Sequence, residues 1–336
     1  MKKILVVVIL MMVLGGVGYG IFWWKWPVLS PRGDEGREKV GYLVKYDFDS
    51  LRRRGGQVSR LAVGGDLAGV EKRREDEIDF DSQKFSFMSE GKRITGMINS
   101  AKQNLAVRKY PAIIMVRGYA DKWGYYTGSG TWRVADKLAE VGIVTVSIDF
   151  LGFGGSDGES EDMLEARFEK VPAVMDLIAS VKVLDFVDGD RVGIWAHSNG
   201  GQIALSVVEI LGDDIPTVLW APMTNPFPQS VLDTASDLDD GGRLVIEAIE
   251  EFERNYDSRR YAFENYYDWM NASVLINQGT ADYWCQVEWQ EAVVEDLLKK
   301  GKMAELRIWS GDDHNLSRNW EKVVEQDILF WERGWK

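Results

Sequence analysis

The chain carries two histidines, His197 and His314, and one cysteine, Cys285. That scarcity narrows the available chemistry. With one thiol no internal disulfide can form. A zinc site of the usual His/Cys types is hard to assemble from so few ligands. Serine is then the leading nucleophile, and it needs a base. Residues 191–195 are strand-like and run into Ala196-His197-Ser198-Asn199-Gly200, and helical sequence follows at once. Small residues stand two positions either side of Ser198. A nucleophile on a strained strand-to-helix turn demands them, because larger side chains would collide there. Gly154-Gly155-Ser156-Asp157-Gly158 has the same spacing. It follows no strand directly and leads into acidic sequence, so it reads as a glycine turn after Asp149.

His197 is covalently adjacent to Ser198, and its side chain is expected to point away from the hydroxyl and to pack. That leaves His314 as the base, in the loop Ser310-Gly311-Asp312-Asp313-His314. The carboxylate that holds its tautomer is assigned to Asp282, in Gly279-Thr280-Ala281-Asp282. Asp312 and Asp313 lie too close in the chain to orient His314 and are expected to shape its loop. Two oxyanion donors are expected, the backbone N–H groups of Asn199 and Tyr119. The Tyr119 ring can line the pocket as well. Arg117 ends a buried strand just before that loop. A buried guanidinium needs a partner, so Arg117 is expected to brace the loop through a carboxylate or a backbone carbonyl. The other reading has it face the cleft and favour acidic substrates. Trp123, Tyr125, Tyr126, Tyr283 and Trp284 are read mainly as core and rim packing, with pocket lining as the alternative. Cys285 has no histidine left to activate it and is read as structural. No phosphate-binding glycine motif stands at a strand–helix junction, so no cofactor and no metal is expected.

Strand patterns occur at 85–89 and 93–99, as a hairpin around Glu90-Gly91, then at 112–117, 143–149, 191–195, 217–220, 274–278 and 304–309. Helical periodicity covers 132–141, 163–184, 201–211, 287–300 and 320–331. Such alternation implies a mostly parallel sheet covered on both faces. In it, active residues belong at the carboxyl ends of the strands. Between 223 and 270 the alternation breaks, and helical sequence at 243–255 and 259–269 suggests an insertion above the sheet.

The order Ser198, Asp282, His314 is that of the α/β-hydrolases. Residues 85–331 resemble that superfamily, most closely its prolyl oligopeptidase-like and dienelactone hydrolase-like branch. The segments that carry the resemblance are 85–99, 111–119, 149–158, 196–201, 279–282 and 312–314. It implies an α/β-hydrolase fold and hydrolysis of an ester, thioester or peptide bond through an acyl-serine. Arg117 departs from the pattern, which usually has histidine before the oxyanion glycine.

The 336 residues are 45% apolar and 12% aromatic, enough for one large domain with a buried core. A net charge of −13 repels phosphate backbones, so no nucleic-acid partner is expected. Residues 4–24 carry no charge and follow Lys2-Lys3. As a helix the run spans roughly 30 Å, a bilayer core. Phe22, Trp23, Trp24 and Trp26 would sit at the interface. Residues 1–26 are therefore read as a single-pass membrane anchor, with a cleaved signal peptide as the rival. Lys2 and Lys3 favour export of the bulk of the chain, against Lys25, Arg32, Arg37 and Lys39 beyond the span. Residues 27–81 are read as a charged, solvated stalk with a short helix near 48–54, and 82–336 as the hydrolase domain. The expectation is a membrane-anchored serine hydrolase acting on carboxylic esters. Peptide or aminoacyl substrates are the alternative. A membrane-tethered binding domain without turnover is the rival of another class, supported only by Arg117. Nothing in the sequence specifies an oligomeric state.

Overall fold

The computed structural model describes residues 41–64, 80–101, 108–238 and 240–335. Among the described residues nine strands form one sheet: β1 (Ala62–Val63), β2 (Phe80–Ser89), β3 (Lys92–Ala101), β4 (Tyr110–Val116), β5 (Val144–Asp149), β6 (Val187–His197), β7 (Thr217–Trp220), β8 (Val274–Gly279) and β9 (Ala304–Trp309). Their order is β1-β2-β3-β5-β4-β6-β7-β8-β9. β1, β2, β3 and β5 pair antiparallel. From β5 through β4 to β9 every pairing is parallel. The β2–β3 hairpin turns at Glu90 and Gly91, both at positive φ, which suits the tight reversal.

Alternation along β4 divides the core. Ala112, Ile114 and Val116 face one cluster, and Ile113 and Met115 face the other. The first cluster is completed by α1 (Phe48–Arg54), α4 (Lys170–Lys182), α5 (Asn199–Leu211) and α8 (Val287–Lys299). The second is completed by α2 (Trp132–Glu140) and α9 (Trp320–Gly334). Strands apolar on both faces, as β4 is, require helices on both sides.

The helix expected over 163–184 is two, α3 (Met163–Phe168) and α4, meeting at Glu169. Pro172 has no N–H to donate back to Phe168, so the hydrogen-bond ladder breaks there. Between β7 and β8 lie α6 (Gln229–Leu232), α7 (Arg243–Asn255) and 3₁₀ turns. This insertion meets α3 in a largely aromatic cluster that includes Phe168, Phe227, Phe252 and Tyr261.

The stalk reading needs correction. Residues 41–54 pack on the domain: Phe48 and Leu51 are 3% and 2% exposed in the main core, and Leu43 and Tyr46 join the aromatic cluster. Arg54 donates two bonds, of 2.7 and 2.6 Å, to the buried carboxylate of Asp176 on α4. The compact unit begins at Lys39, not at 82. A run of arginines reads as solvated in sequence, but here one of them neutralises a buried acid. The expected anchor over 1–26, and the stalk residues 27–40 and 65–79, lie outside the described residues. Among the described residues no helix is long and apolar enough to cross a membrane.

Candidate active site

Ser198 links β6 directly to α5, with φ 55° and ψ −126°. Positive φ costs a residue with a Cβ roughly 1 kcal/mol or more, so the surroundings must impose it. They do so through the backbone: the Ser198 N–H donates to the Trp220 carbonyl at 3.0 Å, and its own carbonyl accepts from Met223 at 2.9 Å. The neighbouring glycines are steric necessities. A Cβ on Gly200 would lie 2.4 Å from the Val116 carbonyl oxygen, and one on Gly201 2.3 Å from the Pro222 Cβ. On the β4 side, a Cβ on Gly118 would meet the Ser198 Cβ at 2.8 Å. The loop carrying Tyr119 therefore passes against the serine side chain. α5 starts at Asn199, and its first N–H groups point out of the helix end toward the same place.

His314 and Asp282 come together from loops after β9 and β8. His314 Nδ1 lies 2.9 Å from Asp282 Oδ2, and the Asp282 side chain is fully buried. Burial alone would raise this carboxyl. The His314 bond, the Cys285 amide and the Gln278 side chain outweigh it and hold the carboxyl below its ordinary value. An ionised carboxylate only accepts, so Nδ1 donates and the lone pair is on Nε2. The two loops are laced together: Ala281 N–H donates to the Asp312 carbonyl at 2.8 Å, and Gly311 N–H to the Thr280 hydroxyl at 2.8 Å. Asp312 and Asp313 accept loop amides, from Arg318 at 2.7 Å and from Asn315 and Ser317 at 3.0 Å.

His197 does more than pack. Its Nε2 lies 2.9 Å from the backbone carbonyl of His314. A carbonyl only accepts, so Nε2 carries the proton. Burial, and then the neighbouring His314, pull its pKa down to about 4 and keep the ring neutral. The link ties the His314 loop to the turn that bears Ser198. Sequence could not signal it, because 117 residues separate the partners.

Arg117 is 4% exposed and finds no carboxylate partner among the described residues. It donates to the Gly118 carbonyl at 2.9 Å, and its guanidinium lies 4.1 Å from the Phe153 ring centre and 4.9 Å from that of Tyr125. It braces the loop through a carbonyl and aromatic faces. Tyr125 donates to Asp149 at 2.6 Å and so belongs to this brace rather than to the rim. Tyr119, Trp123 and Tyr283 are 82–86% exposed. Ser156 is engaged elsewhere, donating to the Asp149 carbonyl at 2.6 Å. Asp282, Cys285 and His314 could present three ligand atoms within 4.8 Å of one another. Burial pushes the Cys285 thiol far above its usual range, so in the apo protein it is held as the neutral thiol.

The sequence profile of the prolyl oligopeptidase family matches residues 131–333. An uncharacterized 31.7 kDa protein from the traX-finO intergenic region of Escherichia coli is 29% identical over 98 residues, 28% of this chain and 30% of that protein. Among solved structures, a candidate dipeptidyl aminopeptidase IV from Bacteroides ovatus superposes with TM-score 0.60 at 18% identity, covering 77% of this chain and 36% of that one. An acetyl xylan esterase from Paenibacillus sp. R4 gives TM-score 0.65 at 16% identity, covering 92% and 99%. At these identities the two structures speak for the fold.

Proposed function

The chain belongs to the prolyl oligopeptidase family and has the α/β-hydrolase fold of a serine hydrolase, and on that premise we propose that Ser198, His314 and Asp282 are its catalytic triad. The observation that carries this reading is a strained serine between strand and helix, with a histidine–carboxylate pair fastened beside it by His197. In the proposed reaction Ser198 Oγ attacks the carbonyl carbon while His314 Nε2 takes its proton. Asp282 stabilises the imidazolium. The N–H groups of Tyr119 and Asn199 receive the developing oxyanion. Collapse expels the alcohol, which takes the proton from His314. Water then repeats the cycle on the acyl-serine and releases the acid.

The substrate is a carboxylic ester. An alkoxide leaves with less help than an amine, so triad and oxyanion donors suffice. The family match favours a second reading, peptide or aminoacyl bonds, which run through the same acyl-serine. The apolar run 4–24 is proposed to anchor the enzyme in a membrane with the domain exported.

A fluorophosphonate probe should label the full chain once. Ser198→Ala should abolish labelling and lower ester turnover by roughly a thousandfold or more, while Ser156→Ala labels normally. Labelling of the Ser198→Ala protein, or near-normal turnover in His314→Ala, would sink the triad.

A further inference from the structure

A narrow cleft, partly open to solvent, lies along α5 and includes Asn199 in its lining. Its walls come from three parts of the chain: Phe48 of α1, Arg167 of α3, and Phe227 and Tyr261 of the insertion. Most of the lining is apolar or aromatic, and Arg167 is its one charged residue among the described residues. Arg167 Nη2 donates to Gln202 Oε1 and, at 3.0 Å, to the Ser230 hydroxyl. Both acceptors are neutral. Among the described residues no carboxylate lies within ion-pair distance of this guanidinium. The nearby acids on the same stretch are taken: Glu165 by Lys45, Tyr46 and Ser160, and Glu169 by Lys92 and the Ser160 amide. Burial alone lowers the Arg167 pKa, to about 10. Lys170 is likewise pulled to about 8 by burial and then by the field of Arg167. In a chain of net charge −13, Arg167 is a part-buried guanidinium with no carboxylate counter-ion among the described residues.

Its place in the fold says which part of a substrate could reach it. Gln202 is three residues beyond Asn199 on α5, about 4.5 Å along the axis. The cavity therefore begins next to the serine turn. Phe227 and Tyr261 of the insertion line it, so a group bound there would be enclosed, whereas Tyr119 next to Gly118 and Tyr283 next to Asp282 are exposed. We infer that Arg167 binds a carboxylate at the far end of the acyl group, so that the preferred substrates are monoesters of short dicarboxylic acids. This rests on the acyl-serine reading above. Gln202 and Ser230 act as positioning residues, holding the guanidinium through Nη2. The partners of this part-buried guanidinium are neutral, and an incoming carboxylate would give it a charge-assisted bond.

The test uses the full chain in detergent and two methyl esters of equal chain length, monomethyl glutarate and methyl pentanoate. The wild type should favour the glutarate ester in kcat/KM. Arg167→Met should lower the ratio of the two kcat/KM values at least tenfold, mainly through KM for glutarate, and Arg167→Lys should fall between. An unchanged ratio, or equal losses on both esters, overturns the proposal and leaves Arg167 a structural residue. A second measurement does not depend on turnover. Glutarate should bind the Ser198→Ala protein in calorimetry, and binding should weaken at least tenfold when Arg167→Met is added. If neither ester is hydrolysed and no fluorophosphonate label forms, the triad reading has failed, and glutarate binding still decides Arg167. Absence of glutarate binding, or tighter binding of inorganic phosphate in a parallel titration, overturns the carboxylate assignment.

Discussion

His197 and Arg117 are charged or chargeable side chains whose partners are a carbonyl oxygen and aromatic faces. For His197 the consequence is a pH dependence of stability. Its folded pKa is about 4, below the ordinary value near 6.5. Between these values the unfolded chain binds the proton that the folded chain refuses, so stability falls as pH drops from about 6.5 to about 4. The loss is on the order of 2–3 kcal/mol at the acid end. His197→Gln removes this contribution. Its urea midpoint should depend less on pH over that window than the wild type's, and a variant with an unaltered slope would show that another group titrates there. The variant should also lower kcat, because the His314 loop loses a tether. Arg117→Met is expected to reduce kcat on the order of tenfold by loosening the loop that bears the Tyr119 amide. Arg117→His should retain more. A selective rise in KM for acidic esters in Arg117→Met, with kcat unchanged, would move Arg117 from brace to binding group.

At the scale of elements, α5 links two kinds of site. Its first turn presents amides to the serine. One turn on, Gln202 fixes Arg167. At its far end Glu209 is fully buried, and both carboxyl oxygens lack a hydrogen-bond partner among the described residues. Burial, and then the neighbouring Glu264, push its pKa well up. A raised carboxyl binds its proton more tightly in the folded state. Its contribution is fully present below the unfolded value near 4.3 and is lost as pH rises through the folded value. Glu209→Gln should therefore gain stability over the wild type progressively with pH, by about 1–3 kcal/mol at pH 8. Chemical denaturation at pH 5 and pH 8 reads this directly. An equal difference at both pH values would show that Glu209 does not carry the dependence.

At the scale of the molecule, the segment after residue 40 is part of the domain, and this decides where the chain can be cut. Removing 1–38 should leave a folded, active protein released from the membrane fraction, because the compact unit begins at Lys39. If this form stays with membranes while folded, another membrane contact exists. Removing 1–63 is different. It strips Leu43, Tyr46, Phe48 and Leu51 from their clusters, opens a wall of the Arg167 cavity, and leaves Asp176 without Arg54. A buried acid that loses its partner costs about 3–5 kcal/mol. The Tm should fall by more than about 10 °C, or the protein should fail to fold. A shorter chain as stable as the first truncation would contradict the packing described for α1.

What could be read from the sequence was local. The alternation of strands and helices and the turn at Ser198 depend on residues within a few positions of each other, and the order of Ser198, Asp282 and His314 is read directly along the chain. Periodicity and turn sterics act over that range. The break at Glu169 was local too, since Pro172 announces it, but the continuous apolar pattern hid it. The partners of the charges were decided by tertiary structure. Arg54 meets Asp176, Arg117 meets Phe153, Arg167 meets Gln202 and Ser230, and His197 meets the carbonyl of His314. A charge in sequence reads as solvated because burying it alone is costly. Whether a partner lifts that cost depends on which distant elements the sheet order brings together, and nothing in the neighbouring residues records it.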